Sequence, residues 1–145
     1  MTFRSIAIGS FLAGALCFAG GSVQAQIAPD DSGAGIRVGM LEQSNSGQVG
    51  DVTLFKRGNS TLVVIDIKGE PAGHREPAHV HRGHSVTCED INPKPAFGLA
   101  DVVNGHSRTL VKYSEASLLS GNYTVNVHIS ASNLAHYVSC GHLYH

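Results

Sequence analysis

Tryptophan is absent from this 145-residue chain, aromatic residues make up only 6% and charged residues only 14%. The scarcity of rings, beside 17 glycines, excludes a core of large aromatics and points to a light core with many turns. Low charge together with 42% hydrophobic residues excludes a highly charged disordered chain. No Lys/Arg cluster is present and the formal charge is −1, which leaves no nucleic-acid or anionic-membrane partner supported. A Gly-x-Ser-x-Gly elbow, a phosphate-cradling glycine loop and a Cys-x-x-Cys pair are all missing. Adjacent carboxylates occur only as Asp30-Asp31 and Glu89-Asp90, which read as solvated loop charges. What stands out is 9 histidines in a chain of one domain's length.

Residues 1–25 read as an export signal. Arg4 supplies the positive start, Ile6 to Gly20 is apolar and rich in small residues, and Val23-Gln24-Ala25 offers the small-x-small cleavage pattern. The apolar run is shorter than the ~20 residues of a spanning helix, so no membrane anchor is expected after cleavage. Leu16 before Cys17 is too bulky for a lipoprotein signal. The mature chain then begins near Gln26 in the periplasm or outside the cell. Residues 26–35 form a flexible polar lead-in and residues 36–145 a single domain.

Cleavage removes Cys17 and leaves Cys88 and Cys140. An even pair in an oxidising compartment predicts a disulfide rather than a redox site. Closing so long a loop is worth roughly 4 kcal/mol in the chain-entropy model.

Short β-branched runs separated by turn residues fill the mature chain. Ile36–Leu41, Val49–Phe55, Thr61–Ile67, Ala78–His81, Leu99–Val103, Thr109–Tyr113, Tyr123–His128 and Tyr137–Cys140 read as strands. Only Ser114–Leu119 reads as a helical turn. About eight strands in regular alternation with turns predict an all-β antiparallel sandwich or barrel.

With the common catalytic constellations missing, the chemistry rests on histidine. Side chains alternate along a strand, so His79 and His81 share a face while Val80 points into the core. His128, at the end of Tyr123–His128, can supply a third imidazole. Three strand-borne imidazoles without thiolates favour copper, zinc or another transition metal that prefers nitrogen. Their affinity is expected to fall as pH drops through the ordinary histidine range near ~6.5. His84, in the following loop, is a possible fourth ligand. His74 and His106 fall in turns and read as solvated. His136, His142 and His145 crowd the C-terminus, where they could form only a weakly specified second site.

Taken in order, these segments resemble the copper/zinc superoxide dismutase family. Val49–Phe55 and Leu62–Gly69 are similar to its opening hairpin strands, and Pro77-Ala-His-Val-His-Arg-Gly83 to its His-x-His copper strand. Cys88 follows as the first disulfide cysteine, Val125-Asn-Val-His128 carries a further copper histidine, and Tyr137-Val-Ser-Cys-Gly141 holds the second cysteine. The resemblance implies an eight-stranded Greek-key barrel with one copper ion per chain at His79, His81 and His128.

The departures from that pattern bear on function. The segment from Cys88 to Leu99 is short and contains no histidine, so the family's zinc site and bridging imidazole are not expected. Tyr137 stands where the family carries its anion-guiding arginine. Three readings follow. The first is an exported copper-binding protein that buffers, stores or delivers the ion, with a copper-donor or acceptor protein as partner. The second is a reduced, copper-only superoxide dismutase. The third is a non-enzymatic structural or interaction domain like the CHRD type, which shares Ala-His-x-His and Gly-x-Tyr-x-Val-Asn-Val-His.

Overall fold

The computed structural model describes residues 32–144; the segment read as an export signal, most of the expected lead-in and His145 lie outside the described residues. The chain runs through β1 (Ile36–Glu42), β2 (Val49–Arg57), β3 (Ser60–Lys68), β4 (Arg75–Glu76) and β5 (Ala78–Arg82). It continues through β6 (Pro95–Gly98), β7 (Val102–Val103), β8 (His106–Val111), α1 (Glu115–Ser120), β9 (Tyr123–Ser130) and β10 (Asn133–Leu143). The strands form one antiparallel sheet, ordered β4-β7-β8-β3-β2-β1-β10-β9-β5-β6, which curls into a half-barrel. The all-β class expected from the sequence is therefore the one observed. The strand count is ten rather than eight, because β4 is a two-residue pairing with no hydrophobic run of its own and β6 opens on a proline, so neither carries a strand signal in the sequence.

The segment expected as one strand at Leu99–Val103 is divided. Its neighbour Pro95–Gly98 is paired as β6, and only Val102–Val103 of the expected strand is paired, as β7. β6 is the last strand of the sheet, where a proline without an N–H costs no ladder bond. β8 begins at His106, three residues before the expected Thr109. Asn104 and Gly105, at φ 52° and 76°, make the two-residue Asn-Gly turn that pairs Val103 with His106. β10 runs well beyond Tyr137–Cys140 because it stays paired with β9 from Asn133 to Leu143, through register shifts between Asn133 and Tyr137 and between Tyr137 and Ser139. The helical turn is real: Ser114 caps α1, its Oγ accepting from the Ser117 N–H at 3.2 Å.

The core lies on the concave face. Val52 and Leu54 of β2, Val63 and Ile65 of β3, Val80 of β5, and Tyr123, Val125 and Val127 of β9 are all buried there. Each such side chain contributes about 1.5–3 kcal/mol of apolar burial. The burial also sets register. A one-residue slip of β5 would exchange Val80 for two histidines on the core face, so the packing that stabilises the sheet fixes where the imidazoles point.

Cys88 and Cys140 are bonded, with Cα atoms 6.0 Å apart across a sequence separation of 52. The bond ties the loop after β5 to β10, and both cysteines are buried. A disulfide is consistent with an oxidising location. Among the described residues, no helix is long and apolar enough to cross a membrane.

Candidate metal centre

β5 and β9 run antiparallel with His79 opposite Asn126 and Val80 opposite Val125. Two residues beyond Asn126, the His128 N–H donates to the Pro77 carbonyl at 2.8 Å, which holds the end of β9 against the start of β5. This register brings His79, His81 and His128 together, one ligand atom from each lying within 4.8 Å of the others. The expected triad is thus assembled from two neighbouring strands.

Two of the three rings are oriented by backbone carbonyls. A carbonyl only accepts, so the His81 Nδ1–H donates to Asn92 O at 2.7 Å and the His128 Nδ1–H to Leu134 O at 2.6 Å. Each bond leaves Nε2 as the unprotonated nitrogen of its ring, and second partners of this kind are what fix ligand tautomers in metal sites. His81 Nε2 is buried with no hydrogen-bond partner. His79 Nδ1 lies 2.8 Å from His128 Nε2, so His79 carries its proton on Nδ1 and donates it to its neighbour. A metal ligated by that nitrogen requires the proton to move to the other side of the His79 ring.

Electrostatics keep the group neutral. Burial pushes His128 down to about 4, with the adjacent His79 and His81 rings acting in the same direction against the Leu134 hydrogen bond. His79 is lowered by burial and by His81, and His81 by burial against its bond to Asn92. Neutral imidazoles with free lone pairs are the form that binds metal. Three nitrogen donors with no carboxylate or thiolate suit an imidazole-preferring transition ion, so the donor set fits a copper- or zinc-class metal.

The triad opens into a cleft of about 320 Å³ bordered by Pro93, Pro95, Leu134, Ala135 and Tyr137. The rim is apolar, with no arginine or lysine lining it. Tyr137 pairs with His128 across β9 and β10, its ring 5.2 Å from the imidazole. Arg75 is engaged with Asp101 at 3.2 Å, and Arg82 lies over the Tyr123 ring at 4.8 Å. A larger cleft of about 600 Å³ borders β2 and β3, lined also by Lys68, with Arg37 3.6 Å from Asp51 and the His106 Nδ1 2.7 Å from Asp66.

The remaining histidines separate from the triad. His84, the possible fourth ligand, stacks on His142 at 4.0 Å instead. His74 and His106 are both exposed, as expected, but His106 opens β8 rather than lying in a turn, its Nδ1 2.7 Å from Asp66. His136 is half-buried on β10, and burial with the nearby His84 lowers His142. Sequence reasoning missed the two orienting carbonyls, since a backbone acceptor leaves no signal in residue identity. It also missed that the fold gathers Glu70, Glu76 and Gln48, which no adjacent-carboxylate pattern reveals. Compared with known proteins, the chain matches no family model and no curated sequence.

Proposed function

We propose that this chain is an exported copper-binding protein of the superoxide dismutase-like type, which buffers, stores or delivers one copper ion held by His79, His81 and His128. The observation that carries the reading is the pre-orientation of neutral imidazoles. Two rings are locked by carbonyls at 2.7 and 2.6 Å, and a buried His81 Nε2 is left without a partner. Burying a polar atom unpaired costs about 1–3 kcal/mol, which an incidental histidine in a structural domain has no reason to sustain. A bound metal would use that lone pair. The strand order supports the family reading, because β3 pairs with β8 and β9 with β5, connections that cross between sequence-distant strands as in a Greek key.

Copper is preferred to zinc because the nitrogen-only set stands at the top of the affinity order for copper. An apolar, open rim suits exchange with a donor or acceptor protein. A reduced, copper-only superoxide dismutase is the second reading, favoured by the same three imidazoles. It lacks a cation at the rim to draw in a small anion. Copper titration of the metal-free mature protein, followed by a superoxide assay on the same sample, tests both. One copper per chain with slow turnover supports the carrier. Fast turnover promotes the dismutase, and no stoichiometric copper removes both.

A further inference from the structure

A second group of polar atoms lies at the open end of the β2–β3 hairpin. Val49 pairs with Lys68, so Gln48 and Glu70 flank the last rung of that ladder. Glu76 arrives on β4, and the Asn104–Gly105 turn closes the group. Gln48 Nε2 donates to Glu76 Oε1 at 2.7 Å, and Glu70 Oε2 accepts from the Gly105 N–H. Three oxygens are then left over: Gln48 Oε1, Glu70 Oε1 and Glu76 Oε2 are all buried and have no hydrogen-bond partner. Gln48 is only 2% exposed and Glu76 is 0% exposed. Burial raises the Glu76 pKa, and the nearby Glu70 carboxylate adds to this against Gln48 and the exposed His74.

We propose that Gln48, Glu70 and Glu76 form a second metal site, lined by oxygen and selective for calcium. Three orphaned acceptors, two of them carboxyl oxygens, call for a positive partner. A single proton can join only two of the three oxygens, whereas one ion would serve all of them. The donor set is an amide oxygen and two carboxylates, which hard cations favour and copper does not. Calcium accepts irregular oxygen cages, while magnesium keeps most of its water and is poorly served by a buried group. The site stands apart from the histidine triad in residues and in chemistry. It leads into it along the chain, since Glu76 and Pro77 precede β5 and Pro77 O receives the His128 N–H.

The test is titration of chelator-stripped mature protein with calcium chloride at neutral pH, followed by calorimetry and thermal unfolding, with magnesium chloride alongside. One calcium per chain, a rise in Tm and weaker magnesium binding are expected. Glu70→Gln and Glu76→Gln should each weaken calcium affinity by at least about tenfold, since affinity follows ligand charge. If Glu76→Gln fails to fold, the half-buried Glu70→Gln carries the test alone. No calcium heat and no Tm change would overturn the proposal in favour of a proton shared by Glu76. Unchanged affinity in a folded variant would overturn it by placing the ion elsewhere. Calcium does not take imidazole, so either result leaves the copper titration to be judged separately.

Discussion

Replacing both cysteines by serine separates what the disulfide does for stability from what it does for the metal centre. The bond closes a loop with a sequence separation of 52, for which the chain-entropy model gives about 4 kcal/mol. Part of this returns in the variant. Cys88 sits at φ 59°, a left-handed conformation that costs a non-glycine residue about 1–2 kcal/mol. Once the bond is gone, the loop can relax from it. The expected net loss is therefore about 2–3 kcal/mol, read as a lower urea midpoint at unchanged slope. The metal centre should respond far less. Asn92, whose carbonyl orients His81, has its own anchor: its N–H donates to Arg82 O at 2.7 Å. Copper affinity in the folded variant should thus fall by less than about tenfold, the low end of what loss of an orienting partner costs. A stability loss below about 1 kcal/mol would refute the entropic reasoning. A hundredfold loss of copper would show that the disulfide, not the Asn92 anchor, holds His81 in place.

Two further outcomes follow from the same geometry. Folding lowers His128 from 6.5 to about 4, so between those values the native metal-free chain binds fewer protons than the unfolded one. Its stability is full above pH ~6.5 and is lost as pH falls through about 4, by an amount of order 3 kcal/mol. Copper binding should follow the same window and persist well below the ordinary histidine range; a binding midpoint near 6.5 would show the imidazoles to be solvated. At the rim, the apolar lining predicts that the copper-loaded protein dismutates superoxide slowly, at a rate nearly independent of ionic strength. Tyr137→Arg should raise that rate by about tenfold or more at low salt. A fast wild-type rate that falls steeply with salt would reveal a steering surface elsewhere.

The triad was legible in the sequence because strand alternation is a local rule. His79 and His81 had to share a face, and the valines around His128 announced a strand. The disulfide was legible once residues 1–25 were read as an export signal, because that reading leaves two cysteines. What could not be read depended on pairing between distant segments. Pro95 opens a strand because β6 is an edge, and edge position is a property of the sheet. The carbonyls of Asn92 and Leu134 orient the imidazoles through backbone atoms that every residue possesses. Gln48, Glu70 and Glu76 meet because a hairpin end, a two-residue strand and a glycine turn coincide in space. His84 shows the converse: three residues after His81 it looked within reach of the metal, yet the loop turns its ring onto His142.

The central claim is that His79, His81 and His128 together hold one copper ion. Calorimetric titration of metal-free protein with copper, run in parallel on a variant carrying His79→Ala, His81→Ala and His128→Ala, tests it most directly. The account predicts one ion per chain in the wild type and no stoichiometric binding in the variant. One-to-one binding retained by the variant would contradict it and move the copper site to the histidines near the C-terminus.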